Sequence, residues 1–416
     1  MQKDPEVLVI GAGAIGVCAA YYLQKQGRQV TLLDQAEVAS GSSFANAGMI
    51  VPSYSIPLAA PGVLTQGLKW MLDPSSPFFI KPRLDFSLLS WLWRFRQACR
   101  PQHMHAGLSH LKELNFASAA LFKSLISEES LDCGYTQKGW LLVYKSAHGL
   151  QDGIHEAKLL QEYNIEARVL DAQETLAREP ALRPGIAGSV FLPAEAHLDP
   201  ARFVQNLAAR IQAKGAVIAP HTKVLDMTAV DGHIISIRTQ DGEYHPQQVV
   251  LAGGAWSPQL VKKLGLNLPV QPAKGYSITL DRPAGSPHMP LYLSEAKVAV
   301  TPLGDKLRLA GTMELSGLDL TINPRRTNAI LSSAQEYLAL PPIPPQVEPW
   351  AGLRPCTPDG LPVIGRAPHI DNLVVTAGHC MLGITQAPIT GILVAQLAAG
   401  RTPDIDLSPF SLRRFL

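Results

Sequence analysis

The chain has 416 residues, a formal net charge of +2, 46% hydrophobic residues and 17% charged residues. This length exceeds one simple hydrophobic core, so we expect about two domains, which can be interleaved along the chain. The near-zero charge excludes the strongly basic composition of nucleic-acid-binding proteins. The five cysteines are scattered, and no two have C-x-x-C spacing. That usage argues against a disulfide framework and against a zinc site, and it favours a reducing compartment, the cytoplasm.

The first 34 residues have the pattern of one βαβ unit. VLVI at 7–10 is an apolar run of strand length, and GAGAIG at 11–16 is a turn that enters a helix. Gly27 is positioned to end that helix, and QVTLLD at 29–34 is the second strand. The pattern predicts the start of a doubly wound α/β fold.

The glycines and the acid of this unit predict a dinucleotide site. Gly11 permits the tight turn, Gly13 removes the side chain where a pyrophosphate approaches, and Gly16 lets helix and strand pack closely. The helix N-terminus then offers free N–H groups and a partial positive charge to the phosphates. Asp34 ends the next strand, where a carboxylate accepts hydrogen bonds from ribose hydroxyls and repels the 2′-phosphate of NADP.

Later segments show mixed periodicity. We predict further helices at about 107–128, 200–214, 326–339 and 385–399. We predict further strands at 139–144, at 247–256, repeatedly within 270–325 and at 372–379.

Two apolar stretches approach membrane-spanning length, at 7–23 and 383–400. The first contains the glycine turn, and the second contains Gln386, Pro388 and Gln396. We therefore interpret both as buried elements of an α/β core. The N-terminus lacks the basic region and cleavage site of a signal peptide, so none is expected.

Two glycine-rich segments favour FAD over NAD. SGSSFANAGMI at 40–50 is a loop of small residues that lets the backbone lie against a flat ring system. TAGHCMLGITQAP at 376–388 places glycines just before a helix, whose N-terminus stabilises negative charge. These two glycine-rich segments come from opposite ends of the chain, and together they suit a long cofactor.

Several motifs together resemble the D-amino acid oxidase-like flavoproteins, with the closest likeness to bacterial D-amino acid dehydrogenase. The motifs that carry the resemblance are GAGAIG with Asp34, SGSSFANAG, VVLAGGAWS, KGYSITL, GTMELSG, GLRPCTPDG and TAGHCMLGIT. The resemblance implies a Rossmann-type FAD domain interleaved with an α+β substrate domain that contains a mixed or antiparallel sheet. The order of the predicted elements along the chain places the FAD domain at 1–60, 190–265 and 346–416, and the substrate domain at 61–189 and 266–345.

The resemblance also implies oxidative deamination of an amino acid. Hydride passes from the substrate Cα to flavin N5, and the imine is hydrolysed to a 2-oxo acid and ammonia. In this family the arginine of a GLRP-like segment binds the substrate carboxylate, and Arg354 matches that position. A planar guanidinium with parallel donors suits a carboxylate, and clamping it orients Cα.

Other site expectations also follow from the resemblance. Tyr54, Tyr276 and Met313 are candidates for the substrate pocket, each with core packing as the alternative. The flavin-tethering cysteine of some relatives would align near Gly352, so we expect noncovalent FAD and interpret Cys356 as a packing residue. No metal site is expected. The residues expected to contact FAD are Gly11, Ala12, Gly13, Ala14, Ile15, Gly16, Asp34, Gln35, Ser42, Ser43, Ala47, Gly48, Met49, Val224, Gly253, Gly254, Trp256, Arg354, Gly378, His379, Leu382, Gly383, Ile384 and Thr385.

The electron acceptor stays open between oxygen and a quinone or another carrier. Residues 78–100 are aromatic and basic, which suits a peripheral contact with the inner membrane or, alternatively, a core helix of the substrate domain. Three other functions remain open: a glycine or sarcosine oxidase, a dehydrogenase of proline or hydroxyproline, and a non-catalytic flavin-binding subunit.

Overall fold

The computed structural model describes residues 4–71, 76–341 and 347–416. Within them the helices are α1 Ala14–Lys25, α2 Val63–Trp70, α3 Phe86–Ala98, α4 Pro101–Glu129, α5 Ala147–Glu162, α6 Ala172–Arg178, α7 Pro200–Ala213, α8 Ser257–Lys262, α9 Pro324–Tyr337 and α10 Gly383–Ala398. The strands are β1 Val7–Ile10, β2 Val30–Leu33, β3 Met49–Ile50, β4 Phe78–Ile80, β5 Trp140–Tyr144, β6 Arg168–Asp171, β7 Gly188–Leu192, β8 Ala196–His197, β9 Val217–Ala219, β10 Val224–Val230, β11 His233–Thr239, β12 Glu243–Tyr244, β13 Gln248–Leu251, β14 Gln271–Asp281, β15 Leu291–Leu293, β16 Val298–Leu303, β17 Lys306–Leu315, β18 Pro349–Cys356, β19 Val363–Arg366 and β20 Leu373–Ala377.

The first layer is a six-stranded sheet in the order β19-β20-β13-β1-β2-β9. Its strands pair in parallel except for β19, which is antiparallel to β20. β1 and β2 are buried along their whole length, as expected for strands that helices cover on both faces. The predicted βαβ start is therefore confirmed, and a small antiparallel sheet, β10-β11-β12, is attached beside it.

The second layer is a nine-stranded mixed sheet in the order β18-β14-β17-β16-β15-β5-β7-β6, with β4 paired to β17. The predicted α/β plus mixed-sheet architecture is confirmed. β18, which the predicted boundaries grouped with the FAD domain, lies in this large sheet. This pairing carries the GLRP segment from the six-stranded layer to the edge of the large sheet.

Both apolar stretches of near-spanning length are buried elements, as predicted. β1 and α1 form the first, and most of α1 is buried. α10 forms most of the second, and Cys380–Ala398 is long and apolar enough to cross a membrane, with 67% of its most apolar window buried inside the fold. Such burial is typical of a core helix.

The aromatic-basic segment has two different sides. Leu88, Trp91 and Phe95 of α3 are buried, and the Trp91 indole N–H donates to the carbonyl of Cys356 at 2.9 Å. On the other side, Phe86 is 90% exposed and Trp93 is 59% exposed. The buried side fits the interpretation as a core helix, and the membrane contact stays a prediction that concerns the exposed side.

Candidate active site

The β1–α1 turn forms a narrow backbone cradle. Gly11 has φ +109°, and a Cβ atom added there would lie 2.4 Å from the carbonyl oxygen of Ala252. A Cβ on Gly16 would lie only 1.8 Å from the carbonyl oxygen of Gly11. At Gly13 the nearest obstacle is a mobile group, the Ser43 hydroxyl, at 3.2 Å. The turn therefore needs glycine at 11 and 16 for its own packing, while Gly13 leaves room for a ligand.

Asp34 and Ser43 stand on either side of this turn. The Asp34 carboxylate accepts from the backbone N–H of Ala12 at 2.7 Å and from that of Ala36 at 2.9 Å. Burial raises the pKa of Asp34, and these backbone donors oppose the rise. Each carboxylate oxygen can accept more than one hydrogen bond, so Asp34 retains capacity for ribose hydroxyls. Ser43 Oγ accepts from the N–H of Ala14, at the end of α1 where an anion is favoured.

The glycine-rich segment at 376–388 places the N-terminus of a second helix, α10, beside β3. Gly378 has φ +79°, and a Cβ there would lie 2.5 Å from the Thr357 side chain. A 3₁₀ turn, Cys380–Leu382, then leads into α10. Thr385 Oγ1 contacts the carbonyl of Met49 and the N–H of Val51, so the start of α10 is fixed to β3.

Arg354 lies on β18 and has no acidic partner in the described part of the chain. Its Nη1 donates to the carbonyl of Thr312 at 2.8 Å, and among the described residues no carboxylate lies within 4.0 Å of its guanidinium. The guanidinium lies over Gly275 of β14, where an added Cβ would stand 2.1 Å from Nη1. A buried or half-buried cation without a counter-charge is costly, so a ligand anion would stabilise this arrangement.

Three aromatic side chains pack against one another, and two of them, Tyr54 and Tyr292, lie within the electrostatic range of Arg354. The rings of Tyr54 and Trp140 are 5.8 Å apart, and those of Trp140 and Tyr292 are 5.6 Å apart. Burial raises the pKa of both tyrosines, and the positive charge of Arg354 opposes that rise for each. The two phenols therefore lie within electrostatic range of the guanidinium and stay protonated at neutral pH.

The chain matches one family over almost its whole length. The model of the DAO family of FAD-dependent oxidoreductases covers residues 6–397. The chain belongs to this family.

Curated relatives agree with that assignment, and solved structures share the fold. The D-amino acid dehydrogenase of Methylobacterium nodulans is 34% identical over 99% of this chain and 99% of its own length. The D-amino acid dehydrogenase of Vibrio atlanticus is 34% identical over 99% of this chain and 100% of its own length. Glycine oxidase from Geobacillus kaustophilus superposes with a TM-score of 0.79 at 24% identity, covering 99% of both chains. L-proline dehydrogenase from P. horikoshii gives a TM-score of 0.75 at 18% identity, covering 100% of this chain and 98% of its own.

The site residues fit the family's cofactor, FAD. At the N-terminus of α1, a Cβ on Gly13 would meet only the Ser43 hydroxyl, so the absence of a side chain keeps the backbone accessible there. Asp34 has acceptor capacity beside this turn, and the first turn of α10 supplies further N–H groups. We infer that the adenosine and phosphates bind at the β1–α1 turn. Residues 42–49 and the turn before α10 would hold the flavin part of the cofactor, which supplies the redox chemistry.

The other expected FAD contacts lie in several separate segments of the chain. Ser42 Oγ donates to the carbonyl of Leu353 at 2.6 Å, which ties the small-residue loop to β18. Gly48 has φ +74° and approaches the carbonyl of Leu198. Gln35 is exposed, Val224 begins β10, and Gly253, Gly254 and Trp256 lie where β13 ends in a 3₁₀ turn. The remaining ones, Ala47, Met49, Leu382, Gly383 and Ile384, lie in the loop, β3 and the start of α10.

His379 is buried and engaged within the protein. Its Nε2 contacts Thr390 Oγ1 at 3.1 Å, and burial lowers its pKa to about 3. The imidazole is therefore neutral at physiological pH. Its contact with α10 suits a residue that holds the turn in place.

The structure separates the pocket candidates named from the sequence. Tyr54 lies near Arg354, and Met313 follows Thr312, whose carbonyl Arg354 binds. Tyr276 is different, because Arg354 pairs with Ala273 and alternate residues of a strand face opposite sides. The Tyr276 hydroxyl donates to Glu314 at 2.9 Å on the opposite face, so the sheet does not bring Tyr276 to Arg354.

Tyr292 and Trp140 were not identified from the sequence. They lie on β15 and β5, which pair in parallel although about 150 residues separate them. Neither residue lies in a recognisable motif, so only the pairing of these strands reveals them.

Proposed function

We propose that this chain is an FAD-dependent D-amino acid dehydrogenase that passes electrons to a quinone or another carrier. One observation carries the proposal: in a chain of this FAD-dependent family, Arg354 has no acidic partner among the described residues and lies within the electrostatic range of Tyr54 and Tyr292. The names of the curated relatives support the D-amino acid class. We propose further that FAD is held noncovalently.

In this proposal Arg354 binds the substrate carboxylate and so orients Cα. When bound, FAD supplies a two-electron acceptor for the hydride on Cα. The Tyr54, Trp140 and Tyr292 side chains shield the site from water and contact the substrate side chain. His379 is neutral, so it adds no positive charge that would repel the substrate when its amine enters as an ammonium group. In the reaction itself the amine is in its uncharged form.

Anaerobic flavin bleaching tests the proposed substrate class. The purified holoprotein is mixed with a panel of D-, L- and imino acids, and the flavin absorbance near its visible maximum is followed. We expect D-amino acids to bleach the flavin fastest and a quinone analogue to restore the colour faster than oxygen does.

The same panel distinguishes the alternatives. Preferential bleaching by glycine or sarcosine with rapid reoxidation by oxygen would indicate an oxidase of that type. Preferential bleaching by proline or hydroxyproline would indicate an imino acid dehydrogenase. Absence of bleaching by every substrate would contradict the proposal and favour a non-catalytic flavin subunit.

We propose also that α3 contacts the cytoplasmic face of the inner membrane. Leu84 is 104% exposed, and Phe86, Leu89 and Trp93 form an exposed apolar row spaced by three and four residues. Arg96 continues the same side of the helix and is exposed. Apolar groups flanked by basic groups suit an anionic lipid surface.

Vesicle sedimentation tests this contact. We expect the holoprotein to pellet with phosphatidylglycerol vesicles at low salt and to be released at high salt, because screening weakens attraction to lipid headgroups. Replacing Phe86 and Trp93 by serine, or Arg96 by glutamate, should reduce the pelleted fraction several-fold. Arg94 is a poorer target because it donates to the carbonyl of Phe415.

Ile235 provides a matched control for the apolar replacements. It is 46% exposed on β11, in the small antiparallel sheet. Ile235→Ser should leave sedimentation unchanged. Equal pelleting of all variants, or equal binding to neutral phosphatidylcholine vesicles, would contradict a contact through α3.

A further inference from the structure

Two cysteines from distant elements meet beside Arg354. Cys356 is the last residue of β18, and Cys380 begins the 3₁₀ turn before α10. Their sulfur atoms are 2.8 Å apart. An isolated antiparallel bridge between Cys356 and His379 aligns the two backbones next to the pair. The covalent S–S distance is about 2.0 Å, so a small movement would allow a bond.

The two thiols have different surroundings. Cys356 is 1% exposed and lies in an apolar cluster with Ala273, Leu315 and Trp91. Cys380 is partly exposed and lines a cavity together with Tyr54 and His379. A small reagent that enters this cavity therefore reaches Cys380 before Cys356.

We propose that Cys356 and Cys380 form a reversible dithiol–disulfide switch that responds to hydrogen peroxide, with Cys380 as the attacking thiol and Cys356 as the resolving thiol. Nothing in the predicted amino acid chemistry requires these two thiols. Cys18, Cys99 and Cys133 are free thiols outside the pair.

The reaction balances with peroxide as the only co-reactant. The Cys380 thiolate attacks one peroxide oxygen, the O–O bond breaks, and the other oxygen leaves as water after protonation. Cys356 then attacks the resulting sulfenic sulfur, the S–O bond breaks, and a second water leaves. Two thiols thus lose two electrons and two protons, and one peroxide becomes two waters.

The electrostatics of the pair support these roles. A hydrogen bond from Cys356 lowers the pKa of Cys380, burial opposes this, and the positive charge of Arg354 lowers it further. For Cys356, the hydrogen bond to Cys380 and burial both raise the pKa. The thiolate is the nucleophile, so the difference favours attack by Cys380.

Closing the bond would affect the substrate site. It would tie the turn before α10 to β18, two residues from Arg354, and would remove a thiol from the cavity wall. Displacing a positioned group by about 1 Å can cost about 10²-fold in rate. We therefore expect the disulfide form to have kcat/KM lowered about tenfold or more, an effect that rests on the proposed role of Arg354.

Thiol counting on the peroxide-treated holoenzyme tests the switch. Alkylation should find five free thiols before treatment and two fewer afterwards, and peptide mass analysis should find a 356–380 crosslink. Dithiothreitol should restore both the thiols and the activity. Unchanged thiols, or a crosslink between other cysteines, would overturn the proposal, and unchanged kinetics of the crosslinked enzyme would overturn its role as a switch.

Two variants separate the resolving role from simple packing. In Cys356→Ala, peroxide should oxidise Cys380 beyond the sulfenic stage, so the activity of this variant should fall and not return with dithiothreitol. Cys99→Ala, a control in the same apolar cluster, should behave as wild type. Reversible inactivation of Cys356→Ala would exclude Cys356 as the resolving thiol. The 356–380 disulfide is detected by mass analysis without any substrate. If the disulfide does not form, that result therefore says nothing against the proposed enzymatic function.

Discussion

Replacing Arg354 by alanine is expected to lower kcat/KM for the amino acid by about 10²- to 10³-fold while FAD stays bound. The guanidinium has no acidic partner among the described residues, so its replacement leaves no protein carboxylate unpaired. A charge-assisted pair with a ligand carboxylate is worth several kcal/mol, and about 1.4 kcal/mol corresponds to tenfold. Steady-state kinetics with an artificial acceptor measure the loss, and flavin absorbance per protein measures FAD retention.

Two further variants distinguish charge from geometry at this position. Arg354→Lys keeps the positive charge and loses the planar fork, so it should recover only part of the activity. Gly275→Ala would place a methyl group 2.1 Å from Nη1 and push the guanidinium aside, which should raise KM. Gly365→Ala is the control, because its added Cβ would meet only Ser411 at 3.8 Å. Near-normal kinetics of Arg354→Ala would contradict the proposed carboxylate role.

The β1–α1 turn could be predicted from the sequence because its residues are close to one another in the chain. The glycines at 11, 13 and 16 and the acid at 34 lie within one βαβ unit, and the order strand, turn, helix, strand has clear periodicity. Local conformational requirements such as the positive φ of Gly11 are visible as residue types. The helix at Pro200–Ala213 was predicted for the same reason, since its apolar face is regular.

The substrate side of the site could be predicted only in part. Arg354 was found through a motif, but Tyr292 is placed by the pairing of β15 with β5, which no local pattern reveals. The face of β14 on which Tyr276 lies could not be predicted, because β14 is buried at nearly every position and periodicity therefore does not distinguish its two sides. α5 escaped prediction because Gly149 and Gly153 and several polar residues interrupt its apolar face.

Contacts between the two layers link these local and long-range features. Ser42 of the small-residue loop donates to Leu353, next to Arg354, and Arg308 of the large sheet donates to the carbonyl of Asn46 in the same loop. The loop of small residues at 40–50, which we infer to hold the flavin, therefore also contacts β18, the strand that carries Arg354. Disturbing the β1–α1 turn should consequently affect both the FAD site and the substrate site at Arg354.

Gly16→Ala is expected to lower FAD affinity by about 10- to 100-fold and to yield largely colourless protein. The new Cβ would lie 1.8 Å from the Gly11 carbonyl oxygen, a backbone atom that cannot move without distorting the turn. Overpacking of this kind costs about 1–3 kcal/mol, and about 1.4 kcal/mol corresponds to tenfold in affinity. Calorimetric titration of the apoprotein with FAD measures the change in FAD affinity.

The thermal midpoint should fall together with FAD occupancy, because a ligand that binds only the folded state stabilises it by mass action. Gly365→Ala again serves as the control, since it adds the same methyl group with only an ordinary contact. Circular dichroism should show that Gly16→Ala keeps its secondary structure, which separates a damaged turn from a chain that fails to fold. If Gly16→Ala bound FAD as tightly as wild type, the β1–α1 turn could not be the phosphate site, and the flavin would have to approach Arg354 by another path.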